Sequence, residues 1–131
     1  MPFLFVYGPL QRGYNKHYVL QDEFTLFLGN AIVPNYELYK CSSLAVAIPC
    51  LNSCIVGELY LVDDFALSRI DEKVGVKSGL FKREKTMVVL ENDFKTQAEI
   101  YVFSQFEPEL VRRKFPRITM NQENSIRRKA A

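Results

Sequence analysis

The chain has 131 residues, 48% of them apolar, and its 17 basic and 15 acidic side chains leave a net charge of +2. That size and apolar content suit one domain with a real core, and no apolar run is long enough for a membrane-spanning helix. The odd set Cys41, Cys50 and Cys54 argues against a disulfide framework, one distant histidine, His17, argues against zinc, and the start MPFLFVYG lacks the cationic head and cleavage site of a secretory signal, so a cytoplasmic location is expected.

Short runs rich in Val, Ile, Tyr and Phe, punctuated by Gly, Pro, Asn and Asp, predict strands. The first is 3–7, ended by a turn at Gly8-Pro9. Residues 11–21 read as a loop entering a short helix capped by Asn15, and His17, with no carboxylate placed to orient it, as an exposed residue of that helix. Strands are expected at 23–33 and 36–40 about a turn at Pro34-Asn35, then at 44–48, stopped by Pro49. The strongest strand pattern is CIVGELYLV at 54–62, where alternation with Leu59 turns Glu58 outward. Asp63-Asp64 opens a helix reaching about Asp71, with Phe65, Leu67 and Ile70 on its buried side. Residues 81–90 and 96–103 form a hairpin across Glu91-Asn92-Asp93. From Arg112 onward stand seven basic residues and one acidic, so a domain at 1–111 is expected to be followed by a weakly ordered basic extension at 112–131. Polyanion binding is one reading of that extension, although it lacks interleaved aromatics beyond Phe115.

Many strands, few helices and no regular strand–helix alternation predict the α+β class. The expected architecture is a small closed or strongly curved mixed β-barrel with two short flanking helices, because closure removes edge strands. Tyr7, Tyr39, Tyr60 and Tyr101 fit its core, with one or two hydroxyls reaching a pocket.

In chain order, LFVYGPL (4–10), QRG (11–13), Asn15 with Leu20, FLG (27–29), YELY (36–39), VGELY (56–60), IDEKVG (70–75), FKR (81–83) and AEIYVF (98–103) resemble the gamma-glutamylcyclotransferase-like family, including its AIG2-like and gamma-glutamylamine cyclotransferase branches. The resemblance implies a reaction within the substrate. The free α-amine of a γ-glutamyl amine or peptide attacks its own γ-carbonyl, releasing 5-oxoproline and an amine. Such an enzyme folds the substrate, steadies the developing oxyanion with backbone N–H groups of the Tyr-Gly-x-Leu turn, and moves a proton with a glutamate in Asp-x-x-Glu. No metal or cofactor is implied, and the partner is a small γ-glutamyl-type molecule.

By this resemblance Tyr7, Gly8, Pro9, Leu10, Phe81 and Tyr101 form the ligand site, and three of its positions depart from the family pattern. Pro9 replaces Thr or Ser and has no N–H. Phe81 replaces the Tyr of Tyr-x-Arg, and Val74 stands at the glutamate position, where it can neither take nor give a proton. Three readings follow: a cyclotransferase scaffold with reduced or lost activity, an active enzyme using Glu72 as a relocated carboxylate, and a non-catalytic binding module. The second needs an irregular helix end, since residues two apart do not share a helix face.

Overall fold

A computed structural model of the chain describes residues 1–119. Five strands, β1 (Phe3–Val6), β2 (Thr25–Cys41), β3 (Leu44–Val62), β4 (Phe81–Leu90) and β5 (Lys95–Phe103), stand side by side in the order β3-β1-β5-β4-β2, and β2 pairs again with β3 to close the ring. The sheet is mixed: β1 is antiparallel to β3, with Val6 opposite Glu58, and parallel to β5, with Phe5 opposite Ile100. The result is the expected small mixed β-barrel of the α+β class.

Where four strands were expected between residues 23 and 62, the protein has two long ones. The Pro34-Asn35 signal is a bulge inside β2, with Asn35 at φ 69°, and Pro49 lies opposite Tyr36 beside it. Prolines are tolerated at bulges, where the ladder is already interrupted, so both strands bend there without ending.

Alternation along the strands produces two apolar layers. Phe5, Val33, Leu38, Leu59 and Ile100 fill the barrel, while Leu4, Tyr60, Phe103 and their neighbours form an outer layer beneath the helices. Helix α1 is only Tyr18–Gln21, entered through His17 with no capping side chain, so Asn15 is not its cap. In α2 (Asp64–Val74) the Asp63 carboxylate accepts from the Ala66 amide at 2.7 Å, and Gly75, at φ 102°, ends the helix in the left-handed conformation. The helix thus runs past Asp71. Its buried residues are Ala66, Leu67 and Ile70, whereas Phe65 is exposed beneath the Arg69 guanidinium.

A third helix, α3 (Pro108–Lys114), spans the boundary expected after residue 111, burying Val111 completely. Beyond it β6 (Arg117–Ile118) pairs with Leu38 and Tyr39 of β2. The start of the basic extension is therefore part of the folded body, and two of its cations are engaged: the Arg112 guanidinium donates to the Pro49 carbonyl and Arg117 pairs with Glu37 at 2.9 Å. Residues 120–131, which carry the rest of the extension considered for polyanion binding, lie outside the described residues.

Burial pushes the Glu37 carboxyl up, but the Cys50 thiol, the Tyr39 hydroxyl at 3.0 Å, Arg117 and Arg112 pull harder and hold it below the ordinary glutamate range. A group lowered in the folded state stabilises above its unfolded pKa and stops doing so as pH falls through the folded one. Glu37→Gln should therefore weaken the docking of β6 by about 1 kcal/mol at neutral pH, a modest amount because Arg117 is half in water. The readout is hydrogen-exchange protection of the Lys40 amide, which donates to the Pro116 carbonyl. The gap between variant and parent is expected above the ordinary glutamate range, about pH 5 and higher, and should close as pH falls below that range; a gap independent of pH would assign the docking to packing alone.

Candidate functional site

The site begins where β1 ends. Gly8–Leu10 form a single 3-10 turn, its Gly8 carbonyl accepting from the Gln11 amide at 3.2 Å. Gly8 sits at φ +60°, and a Cβ there would lie 2.7 Å from the Ala45 Cβ. Its glycine character lets the turn press against the protein's own strand β3, and it does not itself line the cavity beyond. Pro9, with no amide, still contributes its carbonyl to the Lys16 amide at 3.1 Å, and His17 Nδ1 lies 2.7 Å from the Leu10 carbonyl. His17 is thus a half-buried tie between α1 and the turn rather than an exposed residue.

Above the turn is a cavity of about 260 Å³. Tyr7, Pro9 and Leu10 form one side, Val74, Leu80 and Phe81 another, Leu44 and Ala45 a third, with Tyr101 between. The segments singled out in the sequence therefore converge. Glu72 does not join them: it is exposed on α2 and absent from the lining, as its spacing from Val74 dictates. Among the described residues no aspartate or glutamate lines this cavity, and no three His, Cys, Asp or Glu side chains gather as a metal site.

Two of the three tyrosines that line the cavity, Tyr7 and Tyr101, are occupied. Tyr7 donates to the Tyr101 carbonyl at 2.5 Å and accepts from the Ala47 amide at 3.2 Å. Burial raises its pKa against the opposing pull of that amide, so the phenol stays protonated. Tyr101 donates at 2.7 Å to Asp71, and burial followed by this carboxylate raises its pKa far above the ordinary phenol. Asp71 is held in turn by Arg83 at 2.9 Å, which also meets Glu99 at 3.3 Å. The Arg of Phe-x-Arg consequently acts on the rear of the wall, through Asp71.

Behind the turn lies a residue that alternation had placed outward. Glu58 is 1% exposed and accepts from the Arg12 amide at 2.9 Å, from Arg12 Nε at 3.2 Å and from the Tyr60 hydroxyl at 3.0 Å. Arg12 also lies 3.6 Å over the Phe27 ring. The expectation failed because both faces of β3 are covered here, Leu59 by the barrel interior and Glu58 by the segment that follows the turn. A glutamate followed at the second position by a buried tyrosine, with an arginine two residues after the turn, is the signal that was available.

The segment from residue 4 to 121 matches the family model described as gamma-glutamyl cyclotransferase, AIG2-like. A provisionally named gamma-glutamylcyclotransferase of Methanocaldococcus jannaschii is 30% identical over 108 residues, covering 80% of this chain and 87% of that protein. Another so named, from Arabidopsis thaliana, is 28% identical over 134 residues, covering 84% and 71%. The crystal structure of an AIG2-like protein from Mus musculus superposes with a TM-score of 0.77 at 24% identity, covering 90% of this chain and 86% of that one.

Removing the Glu58 carboxylate leaves the Arg12 amide and the Tyr60 hydroxyl without their acceptor, at about 1–3 kcal/mol each when buried. Glu58→Ala should cost about 3 kcal/mol in urea unfolding. A cost below 1 kcal/mol would mean that packing, not this carboxylate, holds the turn.

Proposed function

The chain belongs to the gamma-glutamyl cyclotransferase, AIG2-like family, and on that footing we propose that its cavity holds a γ-glutamyl-type small molecule while the family's glutamate proton shuttle is absent, so that cyclisation to 5-oxoproline is slow or lost. One observation carries the reading. Val74, at the position that resembles the family glutamate, lies on the cavity wall, and the lining contains no carboxylate among the described residues. The free thiols of Cys41 and Cys50 suit a reducing, cytoplasmic setting.

The chemistry follows from what remains. Cyclisation forms a bond between the α-nitrogen and the γ-carbon and breaks the γ-carbon bond to the leaving nitrogen. The attacking ammonium must first lose a proton, and the leaving nitrogen must gain one. A bound substrate still gains from proximity, because attacking amine and carbonyl belong to one molecule. By the family resemblance, backbone N–H groups of the turn would steady the oxygen that gains charge, and here Pro9 supplies none. The proton transfer has no partner on the wall, and loss of a general base costs about 10²–10⁴ in rate.

A second reading has an observation of its own. Tyr101 lines the cavity and donates to Asp71 at 2.7 Å, a pair through which a proton taken from a bound amine would pass to the carboxylate. Asp71 is already paired with the Arg83 guanidinium at 2.9 Å, an ion pair that the relay would have to give up, which favours the first reading.

Release of 5-oxoproline from γ-glutamyl amines separates the two. In the first reading Val74→Glu raises turnover by about a hundredfold or more, at some loss of stability from placing an ionisable group on an apolar wall, and Glu72→Gln changes nothing. If the unmodified protein already turns over briskly and Tyr101→Phe stops it, the relay is the mechanism. A Val74→Glu protein that folds, binds and stays inert would show that the cavity serves other chemistry.

A further inference from the structure

We propose that Lys16 is the specificity-determining residue of the cavity, receiving a carboxylate of the bound ligand, so that the site selects anionic molecules with an apolar body. The γ-glutamyl part of that ligand rests on the function proposed above; the carboxylate part does not.

Two cations line the cavity, and they differ. Lys73 is committed, its ammonium lying 3.0 Å from Glu23 and 3.8 Å from Asp22. Glu23 is held below the ordinary carboxylate range by its bonds to Arg69 and Lys73, so this cluster is a settled ion pair. Lys16 is half-buried, lines the same cavity, and its ammonium has no hydrogen bond or ion pair among the described residues. Its backbone is fixed to the turn, the amide donating to the Pro9 carbonyl at 3.1 Å and the carbonyl accepting from Val19.

The remaining surroundings give this charge its reach. Val6, Leu10, Val19, Leu44, Val74 and Phe81 make a low-dielectric wall, and no lining carboxylate competes for the ammonium. An unpaired cation against an apolar wall attracts an anion more strongly than one in open water and repels a second cation. With valine in place of a glutamate at residue 74, the lining is net positive. A carboxylate pairs with Lys16 without breaking an existing bridge, while an apolar group beside it covers the wall. Tyr18, 54% exposed and also lining, marks the open side from which such a ligand enters.

A γ-glutamyl peptide offers two carboxylates, one on the glutamyl group and one on the attached amino acid, and a γ-glutamyl amine only the first. Calorimetric titration with γ-glutamyl-phenylalanine, which has both, and with γ-glutamyl-phenethylamine, which has only the first, distinguishes them, and 3-phenylpropionate supplies a carboxylate on an apolar body with no glutamyl group. Lys16→Met, which keeps the stem and removes the charge, should weaken γ-glutamyl-phenylalanine about tenfold, as expected for a charge-assisted bond. Lys16→Arg should restore it, and added salt should shrink the difference. If the Met variant weakens both γ-glutamyl compounds equally, the glutamyl carboxylate sits on Lys16; if only the phenylalanine compound, the attached one does. Unchanged affinity for every probe in a Lys16→Met protein with parental melting overturns the proposal and leaves the proposed function standing. Lys16-dependent binding of 3-phenylpropionate with no binding of either γ-glutamyl compound overturns the γ-glutamyl reading and supports the carboxylate one, and no binding by any probe overturns both.

Discussion

The Tyr7 hydroxyl is the point on which the site depends. Its ring is part of the barrel interior, and its oxygen joins the Tyr101 carbonyl of β5 to the Ala47 amide of β3. Three strands are thereby tied together one residue before the chain leaves the sheet as the Gly8–Leu10 turn. A buried phenol with both bonds made stabilises by about 1 kcal/mol per bond, whereas a buried amide or carbonyl left without it costs about 1–3 kcal/mol. The direction in which the turn leaves is then set by Gly8 against Ala45, and its far side by Arg12 on Glu58. The cavity follows from these contacts, because they hold the turn opposite the end of α2 and the start of β4.

The same dependence explains what the sequence could and could not reveal. Strand periodicity was clear in β1, in the β4–β5 hairpin and in the latter half of β3, and the nine motif pieces put those strands in one barrel. The Asp63 cap was legible because it rests on a local side-chain to backbone bond. The continuity of β2 and β3 through Pro34 and Pro49 was not, since a proline at a bulge looks in sequence like a proline at a turn. Helix α3 was missed because seven residues with one fully buried side chain, Val111, carry little periodicity. Among site residues, Tyr7, Pro9, Leu10, Val74, Phe81 and Tyr101 do line one cavity; Glu58 and Lys16 went unrecognised because their roles depend on which neighbours are charged or buried across the fold.

Electrostatically the cavity divides into engaged and open charge. Asp71 is committed to Tyr101 and Arg83, Glu23 to Arg69 and Lys73, and Glu58 to Arg12 and Tyr60. These three carboxylates are each spent on holding an element in place. The wall left to a ligand is largely apolar, with Lys16 beside the turn. On the function proposed above, such a surface would bind and orient a γ-glutamyl molecule and would lack the group that moves its proton.

The most direct test follows a ¹³C-labelled γ-glutamyl amine by NMR in the presence of one equivalent of the unmodified protein. The account predicts saturable shifts of the Leu10, Ala45 and Val74 amide resonances while the labelled carbonyl remains that of the intact amine, at the uncatalysed rate, for hours. Stoichiometric appearance of 5-oxoproline within minutes of mixing would contradict it.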